Sequence, residues 1–78
     1  MVCKFVFYDY KNMIASVHHN VDAEKDERGL FKPGTFYEEV KKVAEKKDLD
    51  KSEWWNCKIF DVDGNKIDQY FNIGYRGL

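Results

Sequence analysis

Residues 2–10, Val-Cys-Lys-Phe-Val-Phe-Tyr-Asp-Tyr, put apolar side chains on both alternating sets of a strand. Cys3, Phe5 and Phe7 form one set; Val2, Val6, Tyr8 and Tyr10 form the other, broken by Lys4. A strand apolar on both faces belongs in the middle of a sheet. Lys11-Asn12 marks a turn. Met13, Ala15, Val17, His19 and Val21 then alternate against Ile14, Ser16, His18 and Asn20, the pattern of a half-buried return strand. Residues 22–34 mix acids and bases with the breakers Gly29, Pro33 and Gly34, which predicts a long solvated loop pinned by Leu30 and Phe31.

Thr35 followed by Glu38 has the spacing of a capping box, so a helix is predicted from Thr35. Its narrow stripe is Phe36, Val40, Val43, Ala44 and Lys47, with Glu38 spaced to pair with Lys42 on the wet side. Alternation resumes over Trp54–Asp61, Asp63-Gly64-Asn65 supplies a turn, and residues 66–73 return as a fourth strand ahead of a loosely held tail, 74–78. The expected fold is α+β: one domain, 1–78, a four-stranded sheet in ββαββ order with one helix on one face.

Two hairpins flanking one helix resemble the β-grasp layout of the immunoglobulin-binding domains of streptococcal protein G. The resemblance covers nearly the whole chain but lies in element order and hairpin placement, and the long loop before the helix departs from it. It implies a sheet whose first and fourth strands lie side by side at the centre. In size and style, as a small lysine-rich α+β chain, the sequence also resembles accessory proteins of phages and mobile elements, including anti-CRISPR inhibitors.

Composition narrows the classes. At 44% hydrophobic and 35% charged the chain has the makings of a core, and no apolar run is long enough to cross a bilayer. Thirteen Lys and Arg against fourteen Asp and Glu leave a net charge of −1, which removes the whole-molecule electrostatic argument for a dedicated DNA binder. Lys4 and Asp9 interrupt the N-terminal apolar stretch, so a cytoplasmic protein is expected. Cys3 and Cys57 stand too far apart in sequence for a paired metal-ligand spacing and read as buried free thiols.

The motifs offer little catalytic chemistry. Asp61-Val62-Asp63-Gly64-Asn65 resembles the start of a calcium loop, but glycine falls at position 4 rather than 6 and Asn72 stands where a carboxylate is needed. His18 and His19 are adjacent, so a regular strand sends them to opposite faces and they cannot share one metal ion. No phosphate loop, nucleophile elbow or zinc helix occurs. An enzyme, a cofactor and a metal are not expected.

The informative constellation is geometric. If Cys3, Phe5, Phe7, Met13, Ala15, Val17, Trp55, Cys57, Ile59, Ile67, Phe71 and Ile73 face the helix, alternation sends Val6, Tyr8, Tyr10, Ile14, His18, Trp54, Phe60 and Tyr70 to the other side. Lys4, Lys58, Asn56 and Asn72 go with them. One helix cannot cover both faces, and an uncovered aromatic face on a small domain marks a contact site unless the long loop or the tail folds across it. The candidate binding residues are Tyr8, Tyr10, His18, Trp54, Lys58, Phe60 and Tyr70. A protein partner is expected, met alone or as a homodimer. The alternative is single-stranded nucleic acid stacked on the sheet aromatics.

Overall fold

The computed structural model describes residues 1–9, 11–49 and 54–74, with only the backbone of 54 and 72–74. The element order is β1 (Val2–Asp9), β2 (Asn12–Asn20), α1 (Thr35–Lys46), β3 (Trp54–Phe60) and β4 (Lys66–Gly74), the ββαββ arrangement that the hydrophobic pattern predicts. The strands form one antiparallel sheet in the order β2-β1-β3-β4. Since β1 runs antiparallel to both β2 and β3, these two are parallel to each other, and α1 makes the crossover between them.

The sheet order corrects the β-grasp expectation, because β1 neighbours β3 rather than β4. Composition supplies the reason. Trp55, Cys57 and Ile59 of β3 are buried like Cys3, Phe5 and Phe7 of β1, so these two strands gain most from the centre. β4 carries Lys66, Asp68 and Gln69 and takes an edge, where charge costs little.

The core lies between the sheet and Phe36, Val40, Val43 and Ala44 of α1, with Val21 and the half-buried Ala15, Val17 and Ile67 around it. The edge of the Trp55 ring system meets Phe7 at a centroid distance of 5.0 Å. Phe31 anchors the long loop by packing edge-on against Phe36, also at 5.0 Å. Leu30, expected to help pin the loop, is instead exposed, because the Asp26 carboxylate accepts the Arg28 and Leu30 N–H groups and closes a tight turn ahead of Phe31. The loop thus packs on the helix side, and none of its residues lines the two concavities described below on the other face.

The helix ends differ from expectation in two ways. Thr35 makes no capping box: Gly34, at φ 82°, is the N-cap, and the Thr35 hydroxyl donates back to the Lys32 carbonyl at 2.6 Å. Lys42 pairs with Glu39, 3.3 Å away, rather than with Glu38. Lys47 is exposed at the C-cap. Beyond it Asp48 takes the left-handed conformation at φ 53°, and the Leu49 and Asp48 N–H groups donate to the Ala44 and Glu45 carbonyls, a Schellman closure. An L-residue is disfavoured there, and a carboxylate is misplaced at the negative end of a helix. Asp48→Gly is expected to stabilise the fold by about 0.5–1 kcal/mol after the extra unfolded-state freedom of glycine is counted. Thermal denaturation followed by circular dichroism reads this as a rise of a few degrees.

Both cysteines are free and fully buried, as the sequence predicts. Phe7 pairs with Cys57, so Cys3 sits four residues further along β1, roughly 13 Å away and out of disulfide reach. Burial, reinforced by the charge of Asp68, pushes the Cys57 thiol up to about 12, and burial raises Cys3 as well. Neither forms thiolate near neutrality. Iodoacetamide at pH 8 is expected to leave the native protein unmodified and to alkylate both thiols in denaturant; mass spectrometry of the two samples checks this.

Candidate functional site

The sheet face away from α1 is assembled by register. Along β1 it presents Val2, Lys4, Val6 and Tyr8. Across the ladders Lys4 faces His18 and Phe60, Val6 faces Ser16 and Lys58, and Tyr8 faces Met13 and Asn56. Two open concavities meet at Tyr8. The first, about 550 Å³, is lined chiefly by Val2, Lys4, Val6, Met13, His18 and Phe60, with Asp61 and Val62 at its rim. The second, about 380 Å³, lies among Tyr8, Lys11, Asn56, Lys58, Gln69 and Phe71.

Of the sequence-predicted site residues, the structure brings Tyr8, His18, Lys58 and Phe60 together on this face. Tyr10 lies outside the described residues, as do the side chain of Trp54 and residues 75–78 of the expected tail. Tyr70 is a correction: it sits on the helix side, its ring 6.1 Å from that of Tyr37 and its hydroxyl donating to Asp68 at 2.9 Å. Burial and that neighbouring carboxylate raise the phenol above its ordinary value.

Two residues assigned to the helix side move the opposite way. Phe71 is 66% exposed and Met13 63% exposed, both lining the open face. The cause is a set of bulges. Trp55 pairs with Ile73 and Cys57 with Tyr70, so β4 spends three residues where β3 spends two, and the alternation inverts. On β2 the extra residue is Ile14, between Ala15, which faces Phe7, and Met13, which faces Tyr8. The charged Asp68 consequently shares the helix side with Ile59, its ladder partner.

The two histidines separate as a strand requires. His18 lines the open face, whereas His19 meets Glu39 of α1 at 2.7 Å and the edge of Phe5. Burial alone would raise Glu39, but hydrogen bonds from His19 and Lys42 outweigh it and hold the carboxyl below its ordinary value. This contact ties the helix to the sheet edge and takes no part in the open face.

The face is electrostatically one-sided. Lys4, Lys58 and Lys66 stand on it, and among the described residues no strand position of the face holds a carboxylate. The ammonium of Lys58 lies 5.0 Å from the centre of the Tyr8 ring, and that of Lys66 donates to Gln69 at 2.7 Å. Asp61, on the rim, is engaged in its own turn: its carboxylate accepts the Asn65 and Asp63 N–H groups, and the Asn65 bonds lead in holding it ionised below the usual carboxylate range. With Gly64 at φ 85°, this is the hairpin turn that the sequence predicts in place of a calcium loop.

Comparison with protein-family models, with curated proteins and with solved structures finds no match to this chain. No helix among the described residues is long and apolar enough to cross a membrane.

Proposed function

We propose that the chain is a protein-binding module that captures an acidic, partly apolar surface on its open sheet face and acts by occlusion rather than by catalysis. The supporting observation is a cluster of apolar groups, the exposed Val2, Met13 and Phe71 with the half-buried Phe60, gathered around Tyr8 over the buried Val6 and ringed by lysines without strand carboxylates beside them. Apolar exposure of this kind gains by being covered, and the lysines select carboxylates on what covers it. An inhibitor of the phage accessory type is one form such a module takes. A cytoplasmic setting fits its buried free thiols.

Single-stranded nucleic acid is the second reading, favoured by Tyr8 and Phe60 on the two central strands beside Lys4 and Lys58. The protein reading ranks first because much of the larger concavity is aliphatic and the Tyr8 ring already carries Lys58.

The test uses the wild-type chain and the Lys4→Glu/Lys58→Glu double variant as immobilised baits in nuclease-treated lysate, with a mixed-sequence single-stranded oligonucleotide as a separate probe. Proteins held by wild type and lost by the variant support the proposal. Oligonucleotide binding that falls steeply between low and high salt supports the second reading. Equal capture by both baits overturns the assignment of the face.

A further inference from the structure

Among the described residues, both outer strands of the sheet end it with unpaired backbone, but they are built differently. β4 carries Lys66 and Asp68. β2, Asn-Met-Ile-Ala-Ser-Val-His-His-Asn, has no Lys, Arg, Asp, Glu or Pro over nine residues, in a chain that is 35% charged and would place about three charges in such a stretch. Soluble proteins ordinarily blunt an edge of this length, roughly 30 Å, with charge or proline.

The ladder shows which groups the edge offers. Met1 and Val21 exchange both backbone hydrogen bonds, at 2.8 and 2.7 Å, which makes them a bonded pair. In an antiparallel ladder such pairs alternate, so His19 and Val17 bond inward to Cys3 and Phe5, while Ser16, His18 and Asn20 turn their N–H and C=O groups outward. Among the described residues, no backbone hydrogen bond outside the helix and the strand ladders involves residues 12–20.

We infer that β2 pairs antiparallel with β2 of a second copy of this chain, about a two-fold axis at Val17. Parity requires that open-face residues meet open-face residues across the joint. With the axis at Val17, Ser16 faces the second copy's His18, Ala15 faces its His19, and the two Val17 side chains meet. Every facing pair is free of formal charge when the histidines are neutral, and Ala15 leaves room for an imidazole. The contact is isologous and closes on itself, whereas the charged β4 edge opposes the head-to-tail pairing that would propagate into fibres. The product is one eight-stranded sheet with its two open faces side by side.

Sedimentation equilibrium across about 1–200 µM tests this on the full chain. The wild type is expected to move from monomer to dimer over that range. Ser16→Pro removes an outward N–H that the β1 ladder does not use, and Ser16→Lys places a charge beside the axis; each is expected to raise the dimer dissociation constant at least about tenfold. Circular dichroism of the Ser16→Lys protein keeps the result readable if proline disturbs the strand. Lys4→Glu/Lys58→Glu should remain dimeric, so failure of the face assignment and failure of the edge assignment are separable. A wild type monomeric at 200 µM, or a dimer indifferent to both Ser16 substitutions, overturns the inference.

Discussion

Trp55→Ala is expected to leave the chain largely unfolded at 25 °C. Trp55 is 2% exposed on a central strand and is the largest of the buried side chains, packed edge-on with Phe7. Truncating such a ring costs about 3–5 kcal/mol. A domain of this size holds only about 4–12 kcal/mol in total, with its small core favouring the low end. Trp55→Phe should cost less than half as much. It keeps an aromatic edge against Phe7 and removes the indole N–H, which is buried without a hydrogen-bond partner among the described residues and carries a desolvation penalty of about 1–3 kcal/mol. Urea denaturation of the three proteins checks both statements. Equal losses for Phe and Ala would mean that the indole nitrogen is satisfied.

Tyr8→Ala and Tyr70→Ala are expected to part ways, although the sequence groups them. Tyr8 joins the two concavities and lies beneath Lys58, so its truncation should weaken partner capture by at least about thirtyfold, the scale of an aromatic anchor at the centre of an interface. The melting temperature should change little. Tyr70 packs on the core beside Tyr37 and holds Asp68. Its truncation should cost about 2–3 kcal/mol, lowering the melting temperature by roughly 10 °C or more and leaving capture intact wherever the protein is folded. Binding isotherms and thermal melts on the two single variants separate these outcomes. Loss of stability in Tyr8→Ala with unchanged capture would assign that ring to the fold.

The contrast between the two tyrosines shows how far the sequence carries. Element order and type were legible because each strand and the helix has its own period, and because Cys3, Phe5, Phe7, Trp55, Cys57 and Ile59 alternate without interruption. Sidedness was legible along the uninterrupted ladders and failed next to the bulges. An inserted residue such as Ile14 leaves no mark on composition, yet it reverses the alternation between the residues on its two sides. This is why Met13 and Phe71 moved outward and Tyr70 inward. The strand neighbours were misread for another reason: element order does not decide which central partner β1 takes, and the charge on β4 decides it. The basic character of the face was hidden in a net charge of −1, which averages over groups that the fold keeps apart.

The turn built on Asp61 bears on how the free protein behaves in solution. That carboxylate is committed to the backbone of its own hairpin, and among the described residues neither Lys4 nor Lys58 has an ion-pair partner. Two ammonium groups are therefore left to whatever anions the medium supplies. Citrate or pyrophosphate in a buffer would compete with a natural ligand where chloride at the same ionic strength would not.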